Sequence, residues 1–347
     1  MRFYTKTHKH YCGVDLHARS MYVCIMTQEG TVLVHRNLPC DPVRFLRTIA
    51  PFREDLVVAA ECIFNWYWLA DLCAREGIPF VLGRALYMRS IHGTKAKNDR
   101  IDSEKITALL KGGVIPQAYV YPARMRATRD LMRRRLHFVR HRGQLLAHIQ
   151  MTHHQHNLPS PGRRISYRVN REGIGDGFED QSTRDSIAAD LALVDHYEHV
   201  IGDLELAVLR QARGHDPNSL VILRSVPGIG QVLALTILYE ICEIGRFPSV
   251  GEFASYSRLV KCHHVSAGKV LGEGGPKIGN AYLKWAFSEA AVLFLAKCPE
   301  GRARFTRIEQ KHGKAKMLSI LAHKLGRAAY YMLARSCAFD LERFLRS

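Results

Sequence analysis

Two carboxylates three residues apart, Asp99 and Asp102, follow Lys95 and Lys97 in the stretch GTKAKNDRIDSEKITALL. A spacing of three puts both on one face of a helix. Two further acids sit among apolar neighbours: Asp15 in YCGVDLH, and Glu61 at the end of DLVVAAE. Four carboxylates gathered in one place raise one another's pKa, and a cation relieves the repulsion. An all-oxygen donor set suits Mg²⁺ or Mn²⁺. Two such ions can clamp the attacking and leaving oxygens of a phosphodiester. Taken singly, each acid has a plainer explanation: Glu61 as a strand-end charge, Asp99 as a helix N-cap. The chemistry lies in the combination, with Lys95 and Lys97 placed to hold the phosphate backbone.

That combination needs a scaffold, and the patterning supplies one. HYCGVDLH, SMYVCIMT and TVLVHRNL read as three strands, the last two joined by Glu29-Gly30. DPVRFLRTI has an acidic N-cap and a proline in its first turn. DLVVAAE reads as a buried central strand, WYWLADLCAREG as a helix with a glycine stop, and IPFVLG as another strand. A helix is expected from about Asn98 to Lys111, ended by Gly112-Gly113. The order βββ-α-β-α-β-α is that of a ribonuclease-H type sheet. There the first strand, the central strand and the last helix converge, carrying Asp15, Glu61, Asp99 and Asp102. The fold class expected for the chain is α/β plus α.

The 347 residues carry 50 Lys and Arg against 32 Asp and Glu, a net charge of +18. A charge of that size points to a polyanionic partner, nucleic acid before an anionic membrane. From Arg124 to Arg142 eight arginines stand against one acid, Asp130. Arg124, Arg126, Arg133, Arg134, Arg135 and Arg140 are the expected phosphate contacts, the alternative being a solvated, solubilising face. A second long helix is expected from Ser182 to Arg213. Ile187, Leu191, Val194, Tyr197, Ile201, Leu204 and Val208 lie at near-heptad spacing along it. The two long helices form either an arm pairing between subunits or a hairpin within one chain.

No apolar run reaches the ~18 residues that span a bilayer, and no secretory h-region follows the basic start. Nine cysteines without a C-x-x-C pair read as reduced thiols of a cytosolic protein, with Cys12, Cys24, Cys62 and Cys73 in apolar contexts.

A second constellation lies near the C-terminus. SVPGIGQVLALTIL resembles the hairpin of a helix-hairpin-helix element, in which Gly228 and Gly230 would bring backbone N–H groups to phosphate. KCHHVSAGKVLGEGGPKIGNAYLKWAF reads as a polar, glycine-rich loop leading into a helix. It holds Ser266 among Lys269, Lys277 and other bases. His153-His154-His156 and Cys262-His263-His264 lack the second ligand pair a zinc site needs.

In their order YCGVDLH, VVAAECIFNWYWLADLCAREG, KAKNDRIDSEKIT, SVPGIGQVLALTI, FASYSRLV and VSAGKVLGEGGPKIGNAYLKWA, the motifs resemble IS110-family transposases, the RNA-guided bridge recombinases, over nearly the whole chain. The resemblance implies an N-terminal RuvC-like domain whose Asp-Glu-Asp-Asp tetrad matches Asp15, Glu61, Asp99 and Asp102. It implies a C-terminal transposase domain whose nucleophilic serine matches Ser266. Many relatives carry Ser-Gly there, where this chain has Ser266-Ala267-Gly268, and Ser255 and Ser257 are the other candidates. The resemblance further implies target and donor DNA, a structured noncoding guide RNA, and dimers or tetramers in which one subunit's carboxylates face another's serine. It also implies a cytoplasmic, nucleoid-associated prokaryotic protein.

The expected organisation is a RuvC-like domain over 1–123, long helices with a loop-rich insertion over 124–215, and a transposase domain over 216–347. The expected reaction is Mg²⁺- or Mn²⁺-dependent strand exchange through a phosphoserine link, with two ions. The rival expectations are a RuvC-like nuclease or resolvase that hydrolyses DNA, and a non-catalytic nucleic-acid scaffold.

Overall fold

The computed structural model describes residues 2–91, 98–161, 165–274 and 278–346. The chain divides into two compact units, Met1–Ala123 and Arg124–Ser347.

The first unit holds β1 (His10–Leu16), β2 (Ser20–Thr27), β3 (Val32–Pro39), α1 (Pro42–Ile49), β4 (Leu56–Glu61), α2 (Tyr67–Arg75), β5 (Phe80–Gly83), α3 (Ala85–Ile91) and α4 (Asp99–Lys111). The sheet order is β3-β2-β1-β4-β5. β1, β2 and β3 pair antiparallel, whereas β1, β4 and β5 pair in parallel. The ribonuclease-H type sheet is therefore present, with α3 added after β5.

Alternation along the strands assigns the two faces. Cys12, Val14 and Leu16 of β1, with Val58 and Ala60 of β4, pack against Phe45 of α1 and Leu69 and Leu72 of α2. Tyr11, Val57 and Ala59 point the other way, onto Ile106, Leu109 and Leu110 of α4. Burying those three α4 side chains contributes roughly 1.5–3 kcal/mol each, which holds the helix down despite its charged first turn. Gly13 sets how closely it lies. A Cβ there would come within 2.3 Å of Thr107 Oγ1 and 2.5 Å of the Ser103 carbonyl oxygen. The Thr107 hydroxyl lies 2.8 Å from the Ser103 carbonyl of its own helix and 3.2 Å from the Cys24 carbonyl of β2.

The second unit opens with α5 (Ala123–Gln155) and α6 (Gln181–His215). They run antiparallel within the chain. Arg135 meets Glu205, Arg142 meets Glu198 and His148 meets Asp190, so α6 descends as α5 ascends. Ile187, Val194, Ile201 and Val208, one per heptad, are buried. Within the chain the seam is buried in a hairpin of the two helices.

The segment between the helices closes over the tip. Ile165 and Phe178 pack with Ile149 and Ile187, while His153 and His156 set their rings edge-on to Phe178. Buried Arg171 ties the segment to Asp195 and Glu198 and donates to the carbonyls of Ile165 and Ser166.

The rest comprises α7 (Pro217–Arg224), α8 (Gln231–Ile241), α9 (Val250–Tyr256), β6 (Cys262–Ser266), β7 (Lys269–Gly274), α10 (Ala281–Lys297), α11 (Pro299–His312), α12 (Lys314–Arg335) and α13 (Leu341–Arg346). α8 is buried from Leu233 to Ile241 and packs among Phe253, Phe287, Phe294 and Leu321. The expected glycine-rich loop around Ser266 is instead a two-stranded ribbon, β6 against β7. Ala267 (φ 48°) and Gly268 (φ 76°) form a two-residue turn with both residues left-handed, which suits the twist of paired strands.

Three of the apolar-context cysteines, Cys12, Cys24 and Cys73, are buried, and burial pushes the Cys73 thiol up to about 12. Cys62 departs from that expectation. It lies one residue past the end of β4 and is exposed. Among the described residues, no helix is long and apolar enough to cross a membrane.

Candidate active site

Four carboxylates share the α4 side of the sheet at the C-terminal end of β1. Asp15 continues the alternation of Tyr11 and Gly13. β1 and β4 are in parallel register through Val14 and Ala60, so Asp15 and Glu61 are the next positions on adjacent strands and face the same way. Asp99 and Asp102 occupy the first turn of α4.

Asp99 does not cap that helix. Asn98 does so, its side-chain oxygen accepting from Ile101 N–H at 2.8 Å, and the Asp99 carboxylate is left for other partners. The close approach at Gly13 explains the meeting. Gly13 and Asp15 climb β1 in a step of two and His17 follows one residue past its end, while Thr107, Ser103 and Asp99 descend α4 in steps of four. Two strand residues rise about 6.6 Å and four helical residues about 6 Å, so the two rows stay level.

The electrostatics match this convergence. Burial holds the Asp15 carboxyl above its usual value. His17 pulls it back down, and the charges of Asp102 and Asp99 push it up again. Asp102 also pairs with Lys105 at 3.5 Å.

His17 is the group that the motif reading missed. Its Nε2 lies 3.3 Å from Asp15 Oδ2 and 3.2 Å from Asp99 Oδ2. That nitrogen is shielded from solvent and lies between the two oxygens. One ligand atom from each of Asp15, His17 and Asp99 falls within 4.8 Å of the others, a grouping able to hold a metal ion. The signal lay in YCGVDLH: a spacing of two on a strand puts Asp15 and His17 on the same face. An oxygen-rich cluster in which the charges of Asp102 and Asp99 push the Asp15 carboxyl up, with one imidazole at its edge, fits a divalent cation.

Lys95, Lys97 and Lys277 lie outside the described residues. Of the candidate arginines, Arg124, Arg134 and Arg140 are exposed. Arg126 is buried. Arg133 binds Glu240 and lies over the Tyr282 ring, and Arg135 binds Glu205. Gly228, with φ 90°, is buried so tightly on α10 that a Cβ would meet the Phe294 backbone nitrogen at 2.5 Å. Gly230 is exposed at the N-cap of α8, with open space where a Cβ would point. Ser266 and Lys269 are exposed and face each other across the β6–β7 turn. Ser255 is exposed on α9, whereas Ser257 is fully buried.

A ribonuclease-H type sheet with carboxylates on its first strand, its central strand and its last helix defines a RuvC-like domain of the Asp-Glu-Asp-Asp class. The family comparisons are more specific. Residues 12–155 match the transposase family of IS110-type Asp-Glu-Asp-Asp domains, and residues 221–306 match the family described as transposase, IS116/IS110/IS902 family. The chain belongs to the IS110 family of transposases.

Two relatives agree with this. A Streptomyces coelicolor protein named "Insertion element IS110 uncharacterized 43.6 kDa protein" is 27% identical over 136 residues, covering 39% of this chain and 32% of the relative. A Sinorhizobium fredii protein named "Putative transposase y4qE" is 24% identical over 251 residues, covering 70% of this chain and 59% of the relative. The matched stretches thus span about a third and three fifths of those relatives' lengths.

Proposed function

We propose that this chain is the recombinase of an insertion sequence, joining DNA strands through a covalent phosphoserine link at Ser266. The observation that carries the reading is the placement of Asp15, Glu61, Asp99 and Asp102 on one side of one sheet end, in a chain of this family. Asp15, Glu61, Asp99 and Asp102 would hold one or two divalent cations, Mg²⁺ or Mn²⁺. Such ions, when bound, supply polarisation of the phosphate and stabilisation of both in-line oxygens.

The protein's own part is to present a hydroxyl and a backbone grip. The Ser266 oxygen forms a bond to phosphorus and gives up its proton. The displaced deoxyribose oxygen leaves and is protonated in turn. One phosphoester replaces another, so rejoining needs no external energy source. Ser266 stands exposed beside Lys269, whose cation suits a phosphate neighbour. Ser255 is the second accessible hydroxyl, and the burial of Ser257 disfavours it.

DNA, target and donor, is the proposed substrate. A structured noncoding RNA would choose the sequences by base pairing, leaving the protein to read backbone and shape. The working form is proposed to be a dimer or tetramer, and the place of action the nucleoid of a prokaryotic cytoplasm.

The experiment is adduct trapping. The protein is incubated with the DNA junctions flanking its own gene, the RNA transcribed beside it and Mg²⁺ or Mn²⁺, then quenched in detergent. A protein–DNA adduct is expected with wild type and with Ser255→Ala, and none with Ser266→Ala. Strand cleavage at the wild-type rate by Ser266→Ala, with no adduct from either protein, would instead establish a hydrolytic RuvC-like nuclease. Undiminished function after Asp99→Ala with Asp102→Ala would establish a non-catalytic scaffold.

A further inference from the structure

We infer that His17 is a nitrogen ligand of the cation site in the first unit, giving that site a preference for Mn²⁺ over Mg²⁺. The inference rests on the proposed cation-binding role of the carboxylates and goes beyond it, since the four acids alone form an all-oxygen set.

Geometry supports it first. His17 Nε2 is equidistant, to within 0.1 Å, from oxygens on two different elements: Asp15 at the end of β1 (3.3 Å) and Asp99 on α4 (3.2 Å). A histidine serving only as a hydrogen-bond donor to one carboxylate would sit nearer to that one. This nitrogen is shielded from solvent and lies between the two. It points where both carboxylates converge, as ligand atoms do around a shared centre.

The main chain of His17 is held independently of the ring. Its N–H donates to the Ser20 carbonyl at 2.8 Å. Its carbonyl accepts from Asn65 Nδ2 at 2.6 Å and from Cys40 Sγ at 3.4 Å. Asn65 belongs to the segment that follows Glu61, so the strand ends bearing Asp15 and Glu61 are tied together through His17. A backbone pinned by three elements delivers the imidazole in a fixed place, as a first ligand shell requires.

The donor chemistry sets the preference. Mg²⁺ is hard, keeps its waters and takes oxygen almost exclusively. Mn²⁺ also accepts carboxylate oxygen but tolerates imidazole nitrogen. One nitrogen among oxygens therefore favours Mn²⁺.

The test uses the full chain without nucleic acid. Mn²⁺ is added and followed by electron paramagnetic resonance, with pulsed measurements reporting ¹⁴N coupling to the bound ion. Wild type is expected to show ¹⁴N coupling. His17→Gln is expected to lose that coupling and to bind Mn²⁺ about tenfold more weakly, while its Mg²⁺ affinity, read by competition, changes far less. Mn²⁺ bound to wild type without ¹⁴N coupling, or held equally by His17→Gln, overturns the inference and leaves the oxygen-only site standing. Mn²⁺ binding that is absent from wild type, or indifferent to Asp15→Asn, overturns the cation reading itself. The ¹⁴N signal of wild type decides the matter even if the variant folds poorly.

Discussion

Asn280 donates its side-chain amide to Glu240 Oε2 at 2.7 Å, deep in the second unit. The same carboxylate accepts from Arg129 at 3.0 Å and from Arg133 at 2.6 Å and 2.9 Å. The Asn280 oxygen caps α10 by accepting from the N–H groups of Tyr282 and Leu283. A buried acid on α8 thus joins the arginine-rich α5 to the start of α10, six residues beyond the Ser266 ribbon. Burial alone would raise the Glu240 pKa, but Arg133, Arg129 and Asn280 outweigh it and hold it below the ordinary 4.5.

The sign of the pH effect follows. A carboxylate whose folded pKa is depressed adds stability above its unfolded value and loses it as pH falls through the folded one. Wild type is expected to lose this contribution progressively below about pH 4.5. Glu240→Gln removes the charge shared by buried Arg129 and half-buried Arg133 and is expected to cost roughly 3 kcal/mol at pH 7. That penalty should shrink as pH falls below 4. Denaturant melts of both proteins across pH 3–7 check it: parallel pH profiles would remove Glu240 from the acid limb.

This cluster also shows where sequence legibility ends. The elements of the first unit were readable because their signals are local. Alternation marked β1, an apolar run marked β4, and Gly112 closed α4. The carboxylates were readable because they ride on those elements. The division of labour among the arginines was not, since Arg133 finds Glu240 at a separation of 107 residues and Arg135 finds Glu205 at 70. No periodicity encodes such partners. Asn98 and Asp99 are both good caps, and only the backbone shows which one serves. His17 was legible in principle, at two residues from Asp15, but a single histidine near a strand end carries little weight without its neighbours.

Gly13→Ala is expected to destabilise the first unit by roughly 1–3 kcal/mol. Its new methyl would sit 2.3–2.5 Å from Thr107 and Ser103 atoms, two of them backbone. α4 must then move off β1 and carry Asp99 and Asp102 away from Asp15. Weaker divalent-ion binding should therefore accompany the lower melting point. Gly143→Ala, in the interior of α5 with nothing within 4 Å, should instead stabilise by up to about 1 kcal/mol. Equal effects of the two substitutions would show that the close approach at Gly13 is not a constraint.

Arg171 makes a local prediction. Its removal leaves Asp195 and Glu198 without their bridge and the carbonyls of Ile165 and Ser166 without their donor. Arg171→Ala is expected to open the tip of the hairpin while the helical core persists. Limited proteolysis should then cut between residues 165 and 180 several-fold faster than in wild type. Arg171→Lys should fall between the two, because one ammonium cannot reproduce the planar fork. Unchanged cleavage in Arg171→Ala would mean that the apolar contacts of Ile165 and Phe178 hold the tip by themselves.

The arginines of α5 separate into two groups with different expected phenotypes. Arg124, Arg134 and Arg140 are exposed, so on the proposed role each phosphate contact removed should reduce the slope of log affinity against log salt by about 1. Arg134→Gln with Arg140→Gln is thus expected to flatten the salt dependence of DNA or RNA binding by about 2 and to leave the melting point nearly unchanged. Arg133→Gln should do the reverse, lowering the melting point through Glu240 with little effect on the slope, because that guanidinium is already committed to a carboxylate and to the Tyr282 ring. Binding isotherms from low to physiological salt, run beside thermal melts, test both halves together. A salt slope that drops for Arg133→Gln but not for the exposed pair would move the nucleic-acid contact to the face of α5 that packs on the core.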